Sequence, residues 1–256
     1  MMKENYEYKK NKEFAAFDEL LIYPFFSSYE GANEIISSFL GEEIRIEAIS
    51  PLFLDHIVGK MAVAIAMEAV GGDGRYFLIM KKIGEDDPFV AIKNMVLYSL
   101  LTLSEKREED GEVKIGFILV VDKENSPSSL VIRDNMKKLQ IVDGDLKSAI
   151  VFPRSDEKGE LRDMILELND GERGPLRNKD IRECIEWLLS DEGKEVYSDY
   201  WEMIDSRWKA NLACELIASG LTEEEIKKTL EMSNDDISLF RGLKKARERF
   251  LSYFTG

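Results

Sequence analysis

The chain has 256 residues, 44% of them hydrophobic and 33% charged, enough to bury a sizeable core as one large domain or as a core with an appendage. Lys plus Arg minus Asp plus Glu is 35 − 50 = −15, a balance that disfavours a duplex-DNA binder, because phosphate contacts need clustered cations. No apolar stretch approaches the roughly 20 residues that span a bilayer. The charged start, MMKENYEYKKNKEF, has no apolar core of the kind a signal peptide carries, so a cytoplasmic protein is expected.

In chain order, Asn33 can cap a helix that runs to Leu40. Residues 43–49 then alternate Ile44, Ile46 and Ala48 with Arg45 and Glu47, the period-2 pattern of a half-buried strand that Pro51 should end. His56, the lone histidine, lies beside Asp55 with no Ser or Cys nucleophile near it, so a loop residue without a chemical role is expected. Residues 61–67 are seven apolar residues and 75–83 form a second β-rich run. Gly71, Gly72 and Gly74 between them favour a tight turn, and the whole predicts a hairpin. Asp86-Asp87-Pro88 opens a predicted helix with Phe89, Ile92, Val96, Tyr98, Leu100 and Leu103 on its apolar face. Residues 104–112 read as a solvated linker and 113–121 as a buried strand.

Further on, residues 148–152 and 162–168 read as short strands, joined by a turn over 156–159. Residues 178–189 are amphipathic, and 196–212 carry Tyr197, Tyr200, Trp201, Ile204 and Trp208 at helical spacing, a stripe that predicts core packing. Cys184 and Cys214 fall in these helical segments without metal-ligand spacing, as expected for reduced, partly buried thiols. Segment 207–248 imitates a helix-turn-helix, with Thr222 and Glu225 as a capping box. Its middle helix would meet phosphate with three glutamates, so helical packing or oligomerisation is the expectation. Lys244, Lys245, Arg247 and Arg249 are the expected contacts for an acidic partner.

Several of these residues carry a resemblance. Gly59-Lys60 opens the first strand of the hairpin, Gly74-Arg75 closes its turn, Leu78-Ile79-Met80-Lys81-Lys82 forms the second strand, and Lys93 and Tyr98 sit on the next helix. Together with the helix ANEIISSFLG and the tail LACELIASGLTEEEIKKTLEMSNDDISLF, this order resembles the recombination-promoting nuclease and transposase family, a bacterial branch of the PD-(D/E)XK superfamily. The resemblance implies an α/β fold with an α-β-β-β-α-β restriction-endonuclease-like core, a mixed sheet flanked by helices, over residues 1–172. An all-helical C-terminal extension over 173–256 would follow. The helix and strand order read from periodicity agrees with that core.

The resemblance also says where catalysis should sit. The family's metal-binding Asp should fall near Ala64 to Ala66, with Ala66 the favoured position, and its Glu on Met80. Of the motif only Lys82 keeps a usable side chain. Magnesium needs carboxylate oxygens, and without it nothing activates the attacking water. The expectation is therefore an inactive member that binds no metal or other cofactor and works through a protein partner or as a homo-oligomer. The alternative is a Mg-dependent DNA endonuclease using displaced acids, Glu68 and Asp55.

Overall fold

The computed structural model describes residues 16–17, 20–54, 63–72, 74–83, 113–122, 131–135, 147–153, 158–169 and 179–255, with side chains omitted at 131–135, 147–148 and 249–255. It is a mixed α/β protein whose chain divides by contacts into two units. The first comprises residues 1–51 and 64–188, and the second residues 52–63 and 189–256.

The first unit is organised by a six-stranded sheet: β1 (Ile44–Phe53), β2 (Val63–Gly71), β3 (Gly74–Ile83), β4 (Val113–Val121), β5 (Val131–Asn135) and β6 (Lys147–Val151). Its spatial order is β1-β2-β3-β4-β6-β5. The predicted hairpin is present: β2 and β3 pair antiparallel from Ile65↔Met80 to Gly71↔Gly74. Gly74 has φ 125°, a conformation that side chains oppose, which is why the turn uses glycine there. β3 pairs parallel with β4, and β4 with β6, while β5 returns antiparallel to β6. A parallel neighbour requires a crossover, so β3 and β4 are joined through residues 84–112, where the helix expected over 86–103 lies outside the described residues.

β3 and β4 are buried on both faces, which explains their nearly unbroken apolar sequences, YFLIM and IGFILVV. β1 is an edge strand, and it does not stop at Pro51 as the sequence suggested. An edge strand tolerates proline, and here Pro51 stands close to the strand's end, where one lost donor matters little.

Helices of this unit include α1 (Ile22–Ser28) and α2 (Ala32–Leu40). Asn33 is not the cap of α2; Gly31 holds that position. The Asn33 side chain instead accepts the Ile46 backbone N–H at 2.8 Å, while Ser37 accepts that of Ile44, so α2 satisfies donors at the start of β1. Gly41, left-handed at φ 74°, terminates α2.

A second correction concerns residues 162–168, expected as a strand. They lie inside a helix, α3 (Glu160–Asn169), whose Ile165 and Leu168 are buried three residues apart, a helical rather than an alternating period. The predicted amphipathic helix follows as α4 (Lys179–Leu189), burying Ile181 and Leu188.

The second unit holds α5 (Asp191–Val196), α6 (Ser198–Ala218), α7 (Glu223–Thr229) and α8 (Asn234–Thr255). Ala210 and Ala213 of α6 pack with Ile226, Leu230, Met232, Ile237, Phe240 and Leu243 into one apolar cluster. The small alanines let the helices approach closely, and the aromatic stripe on α6 is used for packing as expected, with Tyr200 and Ile204 buried. Among the described residues no helix is long and apolar enough to cross a membrane.

Candidate functional site

Strand alternation decides which side chains of the hairpin can meet. Residues directly opposite in an antiparallel pair point to the same face. Met80 faces Ile65 and Ala66 faces Ile79. One face of the sheet therefore carries Ile65 and Met67 of β2 with Leu78, Met80 and Lys82 of β3. The other carries Ala66 and Glu68 with Phe77, Ile79 and Lys81.

This geometry amends the sequence expectation in two ways. Ala66 and Met80 stand on opposite faces, so they cannot be the two degenerate positions of one centre; of residues 64–66 only Ile65 shares Met80's face. Glu68 is exposed and pairs with Phe77, which puts it on the face away from Lys82. Asp55, the other candidate acid, lies outside the described residues, as do His56, Gly59-Lys60, Lys93 and Tyr98.

What surrounds Met80 is apolar. Ile65, Met67, Leu78 and Met80 have no exposed surface, and neither does Ile118, the residue beside Met80 on β4. Two residues further along β3, Lys82 lies 3.3 Å from Asp122, each side chain about one-fifth exposed. Asp122 follows β4 directly and donates its backbone N–H to the Ile83 carbonyl, which fixes its position beside Lys82. The lysine is thus half of an ion pair, a partner the sequence did not disclose because the two residues are far apart in the chain. Among the described residues no group of three or more His, Cys, Asp or Glu side chains is arranged to hold a metal ion.

In the helical unit the capping box is formed as expected: Thr222 Oγ1 accepts the Glu225 N–H, and the Glu225 carboxylate accepts the Thr222 N–H at 2.8 Å. Hydrogen bonds from the Thr222 hydroxyl and backbone hold the Glu225 carboxyl below the usual carboxylate range. A second reciprocal cap opens α8, between Ser233 and Asp236. Of the first-turn glutamates of α7, Glu225 closes the capping box and Glu223 pairs with Arg241 of α8.

The expected basic contacts divide. Lys244 and Lys245 are exposed, whereas Arg247 is half-buried and hydrogen-bonded to the Asn211 side chain, a packing role rather than a display of charge. The side chain of Arg249 is outside the described set. Both thiols are partly buried, as predicted. Burial pushes Cys184 up to about 11. Burial also raises Cys214, against the opposing pull of the Arg247 and Lys244 charges.

Comparisons with protein-family models, with curated proteins and with solved structures return no match for this chain. The protein is a mixed α/β sheet protein with a helical C-terminal part.

Proposed function

We propose that this chain is a non-catalytic relative of the PD-(D/E)XK nucleases, keeping the sheet as a scaffold and working by binding protein, either a partner or a second copy. One observation supports the reading: Met80, where the resemblance puts the Glu, pairs across the hairpin with Ile65, inside the 64–66 span expected for the Asp though not the favoured Ala66, and both side chains are wholly buried. An apolar pair offers no oxygen to a hard cation. The third motif residue, Lys82, is engaged by Asp122. The alternative endonuclease built on Glu68 loses support from the sheet register, because Glu68 and Lys82 project from opposite faces. The net charge of −15 adds to the case against a duplex-DNA substrate.

Calorimetric titration with Mg²⁺ and Mn²⁺, followed by a plasmid-nicking assay, tests the proposal. No saturable heat and no nicking are expected. Metal-dependent nicking that disappears in Glu68→Ala would overturn it.

A further inference from the structure

We draw no further inference here: the strongest candidate, the Trp201–Asp205 side-chain pair one turn apart on α6, whose buried Nε1 and Oδ1 atoms find no hydrogen-bond partner among the described residues, carries nothing because nothing in the structure shows what covers it or that a ligand fits there.

Discussion

Ile65 and Met80 stand directly opposite each other at the centre of the sheet, both without exposed surface, on the face that Lys82 also shares. The pairing gives the hairpin a geometry in which two adjacent strands could present two groups to one ion. Introducing such groups is then a matter of two substitutions at defined positions rather than of rebuilding a loop.

Ile65→Asp alone should destabilise the protein by roughly 3–5 kcal/mol, since it leaves a charge or an unsatisfied carboxyl in an apolar layer. Ile65→Asp with Met80→Glu should be worse without metal, because two carboxylates then crowd one site. Mn²⁺ should recover part of that loss by binding the folded state. Ala66→Asp with Met80→Glu puts its acids on opposite faces and should show no such recovery. Thermal melts with and without Mn²⁺ distinguish the two pairs, and equal behaviour would refute the register argument.

The Lys82–Asp122 pair gives a second prediction. If Lys82 is a structural half of an ion pair, Lys82→Met should cost on the order of 1 kcal/mol by removing the cation that lies 3.3 Å from Asp122 in a largely shielded position. Asp122→Asn in the same background should return much of the loss. Urea unfolding of the two single variants and the double variant measures the coupling. Additive effects would mean that the 3.3 Å contact contributes nothing.

The hairpin was legible because its turn residues and its two apolar runs agree, and local chemistry alone fixes such a unit. Its register was not: Ala66 and Ile65 are equivalent in composition, and only the Gly71↔Gly74 closure tells which of them faces Met80. A shift of one residue moves a side chain to the other face of the sheet. Residues 162–168 misled because MILEL satisfies strand propensity, whereas the burial of Ile165 and Leu168 reveals the helix only once neighbours are known. α1 went unread because it contains Pro24, which the first turn of a helix tolerates. β5, VIRDN, is too short and polar to rise above a loop, and its strand character comes from its partner β6. The capping box of α7 was fully legible, since its two residues are three apart and need nothing else.

That cap is testable on its own. Thr222→Ala should destabilise the protein by about 1 kcal/mol, the usual effect of removing a Thr cap. It should also let the Glu225 carboxyl climb back toward its ordinary value, because the hydroxyl and the ordered backbone at Thr222 are what depress it. Carboxylate NMR titration follows the second effect independently of stability. An unchanged Glu225 would show that the hydroxyl contributes nothing.

Asp236 links α8 to α6 and should set an acid limit on the helical unit. Burial pushes its carboxyl up, but hydrogen bonds from the Ser206 side chain and from the Ser233 backbone and side chain, with the Lys209 charge, outweigh burial and leave it below the ordinary value. A carboxyl depressed in the folded state binds its proton more readily when unfolded. Its contribution to stability is therefore complete above the unfolded value and declines as pH falls through the folded one. Asp236→Asn removes this titration while keeping the side chain's shape. The variant should be less stable than wild type near neutral pH, and the difference should shrink steadily as the solution is acidified below the ordinary aspartate range. Urea midpoints measured down the acid limb give the comparison directly. A gap that stayed constant with pH would mean that Asp236 acts through packing alone, and that the charge on its carboxylate does not hold the start of α8 against α6.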